Sequence, residues 1–167
     1  EIELWANKAN SRDAVLYTRD VDPRSGERVV LLVHGLGSSP STFDQRYDNN
    51  SSIFQNLNNE YNGRVILYKY PSDRLPSENA ESLNNLLEQW GLDSPLDLVG
   101  HSMGAIVIRE FARRFHDRHT IPHLVQLAPP NYGFVSNQPI KWFLEFLINS
   151  LDSSEIDIFN PYTSPGA

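Results

Sequence analysis

Short apolar runs alternate along this chain with longer stretches in which apolar residues recur every three or four positions. Val29-Val30-Leu31-Leu32-Val33 is apolar without a break and rich in β-branching, the pattern of a strand buried on both faces. Ala14 to Thr18 predicts a shorter strand, and Asp22-Pro23-Arg24-Ser25-Gly26 a turn. Arg64 to Tyr70 predicts a strand closed by Pro71, and Leu96 to Val99 another. His123 to Ala128 predicts a last strand, stopped by Pro129-Pro130. Helical spacing appears between them. Ala80, Leu83, Leu86, Leu87 and Trp90 set one helix over Glu78 to Trp90, with Gly91 as its stop. Val107, Ile108, Phe111, Ala112 and Phe115 set a second over about 103–117. A third helical stretch falls within 41–59, where Asn and Ser blur the pattern. Strand and helix in alternation predict an α/β fold: a mostly parallel sheet covered by helices on both faces.

Residues 140–152 break the rule of half-polar helices. Lys141, Glu145, Asn149 and Asp152 form one narrow polar stripe, while Ile140, Trp142, Phe143, Leu144, Phe146, Leu147, Ile148 and Leu151 cover the rest. Two readings stand side by side. One is a helix buried against the sheet. The other is a lid within a segment spanning 131–167, with Trp142, Phe143 and Phe146 shielding an acyl pocket or touching lipid.

Composition narrows the class. The 167 residues suit one domain, and 40% hydrophobic residues suffice for a core without staples. There is no cysteine, so neither disulfides nor thiolate metal sites enter, and the compartment stays open. No apolar run approaches the ~20 residues of a membrane span. A net charge of −7 argues against a nucleic-acid partner, and Arg109, Arg113 and Arg114 read as the solvated face of their helix. Glu1 in place of Met suggests a processed or trimmed chain.

The chemistry concentrates at Gly100-His101-Ser102-Met103-Gly104, between the Leu96–Val99 strand and the helix that follows. Gly-x-Ser-x-Gly alone is a weak pattern. Between strand and helix it predicts a nucleophile elbow: a turn tight enough to strain the serine and lift its hydroxyl above the sheet edge. Serine is a poor nucleophile and needs an oriented base, with donors placed where an oxyanion forms. The Met103 N–H supplies one such donor. The Leu36 N–H is the candidate for the second, in the glycine-rich loop His34-Gly35-Leu36-Gly37 at the end of an earlier strand.

Three segments resemble the α/β-hydrolase family, in particular its serine esterases and lipases: Leu32-Val33-His34-Gly35-Leu36-Gly37, Leu98-Val99-Gly100-His101-Ser102-Met103-Gly104, and Leu127-Ala128-Pro129-Pro130. The resemblance runs from about Leu16 to the lid-like segment. It implies a nucleophile at Ser102, then an acid and a histidine in that chain order, and no metal or organic cofactor. It also implies a small-molecule ester or a lipid as substrate.

The departure from the family lies in the partners of Ser102. No histidine follows His123. His116, His119 and His123 lie beyond a helix that carries them roughly 20 Å from Ser102. His34 and His101, with Gly35, read as residues that support the site, His101 pointing away from Ser102. Asp152 and Asp157 read as surface residues. The expectation is therefore an N-terminal hydrolase portion over 1–167 that lacks the family's C-terminal strands. A missing segment or a second chain would bring the acid and the histidine and complete the sheet. The alternative is a non-catalytic binding protein that kept the scaffold and lost the triad.

Overall fold

The computed structural model describes residues 4–5, 14–18, 21–45 and 51–131, and every structural statement below concerns these. Strands β1 (Leu4–Trp5), β2 (Val15–Thr18), β3 (Val29–Val33), β4 (Val65–Lys69), β5 (Leu96–His101) and β6 (Leu124–Leu127) form one sheet in the order β1-β2-β4-β3-β5-β6. The β4-β3-β5-β6 part is parallel, and β2 runs antiparallel to β4 and to β1. Apart from β1, which has no signature in the hydrophobic pattern, these are the predicted strands.

Alternation along β3 explains why the helices divide between two faces. Val29, Leu31 and Val33 face one side and pack in a single core with Ile66, Tyr68, Leu83, Leu87, Leu98, Ile108 and Phe111. That face is covered by α2 (Pro76–Trp90) and α3 (Met103–Phe115). Val30 and Leu32 face the other side and join Phe43, Val65 and Leu67. There the cover is a 3₁₀ turn (Pro40–Asp44) and α1 (Ile53–Glu60), with Phe54 and Leu57 packed on the cluster. The helical stretch expected within 41–59 is thus two short elements. The second starts where Ser52 and Gln55 form a reciprocal cap.

Helix α2 begins two residues before the expected Glu78, because Pro76 suits a first helical position and Glu78 Oε2 accepts the Leu75 N–H at 2.9 Å. It ends at Gly91, whose left-handed φ of 76° closes the last turn. On α3 the arginines are engaged rather than free. Arg113 pairs with Glu110, Arg114 with Glu81 and the Ser77 carbonyl, and Arg109 donates to Asn131.

One polar cluster sits at the amino end of the sheet. Asp97 is buried and accepts from Tyr61 Oη at 2.6 Å and from His123 Nδ1 at 2.9 Å, with Arg28 Nε 3.6 Å away. Burial first, and then this bond, push the Tyr61 hydroxyl up to about 12. The cluster joins β5 to the end of α1, the start of β3 and the start of β6. Asp97 precedes Ser102 by five residues, about 16 Å of extended chain, so the cluster lies away from the serine.

The sheet ends, among the described residues, at β6, where Leu124 and Val125 remain 36% and 45% exposed. The lid-like helix and its Trp142, Phe143 and Phe146, like Asp152 and Asp157, lie outside the described residues. No described helix is long and apolar enough to cross a membrane.

Candidate functional site

Three loops meet at the carboxyl ends of β3, β5 and β6. The parallel register sets Val33 beside Gly100 and His101 beside Leu127, so the residues after each strand emerge side by side. Ser102 sits between β5 and α3 with φ 52° and ψ −120°, a conformation that glycine adopts readily and serine does not. Its N–H donates to Leu127 O at 2.9 Å, tying the turn to β6. Helix α3 starts at the next residue, so its N-terminal dipole lies directly under the serine.

The glycines around Ser102 answer a packing requirement. A Cβ on Gly100 would fall 2.6 Å from Gly104 O and 2.7 Å from Ala105 N. A Cβ on Gly104 would collide with the Val33 and His34 carbonyl groups. Helix α3 therefore crosses β3 and β5 at backbone distance. A Cβ on Gly35 would lie 3.1 Å from Ser102 Cβ and 3.2 Å from His101 Nδ1. The loop after β3 is thus a neighbour of the turn between β5 and α3.

That loop turns sharply. Ser38 N–H donates to Gly35 O at 3.3 Å, with Gly37 left-handed at φ 62°. Gly37 N–H donates to Ser72 Oγ at 3.0 Å. Among the described residues no acceptor meets the N–H of Leu36, nor that of Met103 at the first position of α3. Leu36 itself is 37% exposed.

His34 anchors the loop from below. It is buried, stacks on Tyr70 with centroids 4.5 Å apart, and donates from Nδ1 to Gly35 O at 2.8 Å. Tyr70 Oη donates in turn to His34 O at 2.7 Å. His34 Nε2 is buried with no partner among the described residues. Burial lowers the His34 pKa to about 4; the bond to Gly35 opposes this and the charge of Lys69 adds to it. The ring is therefore neutral at pH 7. Because its folded pKa lies below the ordinary 6.5, its contribution to stability is present above pH 6.5 and lost as pH falls toward 4. The difference is worth about 3 kcal/mol. In His34→Gln the stability lost between pH 7 and pH 4, read from urea midpoints, is expected to shrink by about that amount. Equal losses in both proteins would refute it.

Of the other histidines, His101 borders the Gly35 loop, while His116, His119 and His123 lie beyond or at the far end of α3. His101 is exposed, and the bonds of Ser102 among the described residues run to Leu127 and Ala105. His119 is buried against Phe111 and hydrogen-bonded to Asn84 Oδ1, with its pKa lowered chiefly by burial. His123 is held by Asp97 at the amino end of the sheet. Gly35, Leu36, Ser102 and Met103 thus come together, while no described histidine bonds to Ser102. Tyr70 and Ser72, which fix the loop, carry no signal in the sequence beyond flanking Pro71.

The mostly parallel sheet with helices on both faces is the α/β-hydrolase fold, which solved structures share. A carboxylesterase structure from the thaumarchaeon Nitrososphaera gargenis superposes with a TM-score of 0.58 at 16% identity, over 99% of this chain and 61% of that one. The mature lipase BlEst2 of Bacillus licheniformis gives 0.52 at 18% identity, over 87% and 63%. The chain belongs to the family described as a domain of unknown function (DUF7379), whose model matches residues 1–158. Among curated proteins, a 1-acylglycerol-3-phosphate O-acyltransferase of Arabidopsis thaliana is 22% identical over 146 residues, 85% of this chain and 34% of its own. The thioesterase PikA5 of Streptomyces venezuelae is 32% identical over 99 residues, 59% and 35% respectively. This chain therefore spans about a third of the length of these curated relatives.

Proposed function

We propose that this protein is a serine hydrolase that cleaves carboxylic esters, small-molecule or lipid, through an acyl-enzyme on Ser102. The observation that carries the reading is the strained Ser102 backbone at the head of α3, with two unused N–H groups, Leu36 and Met103, on the adjoining turns. Ser102 Oγ attacks the ester carbonyl carbon, and the carbonyl oxygen takes the negative charge facing the Leu36 and Met103 N–H groups. A histidine accepts the Oγ proton and passes it to the departing alkoxide. Water, deprotonated by the same histidine, then releases the acid and frees Ser102.

That histidine and the acid that orients it come, in this reading, from a further segment or a second chain. His34 is buried with its Nδ1 committed to Gly35, and His119 and His123 are engaged away from Ser102. The thioesterase and acyltransferase relatives extend the reading to thioesters, and to an acceptor hydroxyl in place of water. The segment 131–167, with Trp142, Phe143 and Phe146, would cover the acyl group as a lid. The alternative of a binding protein on a hydrolase scaffold is favoured by one observation: no described histidine is bonded to Ser102. A fluorophosphonate probe decides between them. Ser102 of the native full-length protein is expected to be labelled and Ser102→Ala is not; an unlabelled native protein would favour the binding scaffold.

A further inference from the structure

The N–H of Leu36 can serve as an oxyanion donor only if the turn that carries it is held still, because a hydrogen-bond donor misplaced by an ångström loses most of its effect. The turn at Gly35–Ser38 is closed by one internal bond of 3.3 Å, too long to fix it alone. It is also exposed at its tip. What holds it comes from outside, from the exit of β4. Tyr70 lies before Pro71 and binds the base of the loop at His34 O, with its ring stacked on the His34 imidazole. Ser72 lies after Pro71 and binds the tip, accepting the Gly37 N–H at 3.0 Å. Proline between them limits the backbone freedom of the link, so base and tip are held by one stiff tripeptide.

The consequence concerns a single peptide unit. Leu36 C=O and Gly37 N–H belong to the same plane, so fixing the Gly37 N–H on Ser72 Oγ fixes the orientation of the Leu36–Gly37 peptide. Without that bond the tip rests on the 3.3 Å bond from Ser38 to Gly35 alone, and the whole turn, Gly35–Leu36 peptide included, can swing on its two glycines. Leu36 N–H, one residue back, would then lose its fixed aim.

We propose that Ser72 is a positioning residue for the oxyanion turn, acting through Gly37 on the Leu36 N–H, with Tyr70 holding the same turn at its base. The proposal rests on the serine-hydrolase reading of Ser102, in which Leu36 N–H meets the oxyanion. Ser72 touches neither substrate nor Ser102, so its removal affects the rate at which the adduct forms and leaves substrate affinity alone.

The test uses the native full-length protein and a fluorophosphonate probe, whose phosphoryl oxygen occupies the place of the oxyanion. Ser72→Ala is expected to label Ser102 roughly tenfold more slowly, with an unchanged melting temperature, because the lost bond is exposed. Ser72→Thr, which restores the hydroxyl, is expected to label within about threefold of the parent. With a chromogenic ester the same loss should appear in kcat, with KM unchanged. Labelling of Ser72→Ala at the parent rate, or failure of Ser72→Thr to restore it, would overturn the positioning role alone. A parent protein that the probe leaves unlabelled would overturn the hydrolase reading, and the positioning role with it.

Discussion

Ser102→Gly is expected to stabilise the fold while abolishing fluorophosphonate labelling, a result in which structure and function move in opposite directions. At φ 52° and ψ −120° the serine occupies the conformation that opens a II′ turn, where glycine is the favoured residue. A side chain held there costs on the order of 1–3 kcal/mol. Replacing it by glycine removes that strain and adds back about 0.5–1 kcal/mol of unfolded-chain entropy. The net gain is about 1 kcal/mol, which for a domain of this size is a rise of roughly 2–4 °C in melting temperature. Ser102→Ala keeps its Cβ and hence the strain, so it should melt with the parent. Both variants lose labelling, because both lose the hydroxyl. If Ser102→Gly melts at or below Ser102→Ala, the backbone strain is not borne by the side chain and the argument for an elbow weakens. The sign is informative because a serine kept at a position better suited to glycine implies a use for its hydroxyl.

The parts of this molecule that the sequence discloses are those governed by local rules. The unbroken apolar run at Val29–Val33 announced a doubly covered strand because such a strand has no polar face to show, and both its faces are packed. The Gly-x-Ser-x-Gly spacing was legible because each position answers a separate local demand: close approach at Gly100 and Gly104, a positive φ at Ser102. Strand β1 was invisible because Leu4–Trp5 is too short for a period to register. Asp97 was invisible for a different reason. Within Leu96-Asp97-Leu98-Val99 it looks like a polar interruption, and only the arrival of Tyr61, 36 residues before it, and His123, 26 after it, turns it into a buried junction. The anchoring of the Leu36 turn is equally non-local, since Ser72 is 35 residues from Gly37. Chemistry carried by one segment could be read. Support carried between segments could not.

Gly104→Ala tests the closest of these non-local contacts, and its expected cost is the largest of any single substitution considered. Alanine is the better helix former by about 1 kcal/mol, so on propensity alone the change at the second residue of α3 would stabilise. Against this stands the backbone of β3. The new Cβ would collide with the Val33 and His34 carbonyl groups, which are fixed by the β3–β4 and β3–β5 ladders and by the Tyr70 bond to His34 O. Neither backbone can yield without the helix lifting from the sheet, so a loss of about 3–5 kcal/mol is expected, beyond the usual range for overpacking. Gly26→Ala is the contrasting case: unlike Gly104 it has a positive φ, of 71°, and a Cβ there meets no atom within 4 Å, so backbone strain without any collision should cost it about 1 kcal/mol. Urea midpoints of the two variants measure the difference, and a Gly104→Ala protein as stable as the parent would show that α3 does not rest on β3 at this distance. Should some Gly104→Ala protein remain folded, its first helical turn must have moved away from the Gly35 loop, carrying the Met103 N–H with it. On the proposed serine-hydrolase reading, in which the Leu36 and Met103 N–H groups face one oxyanion, labelling at Ser102 should then fall even in the folded fraction.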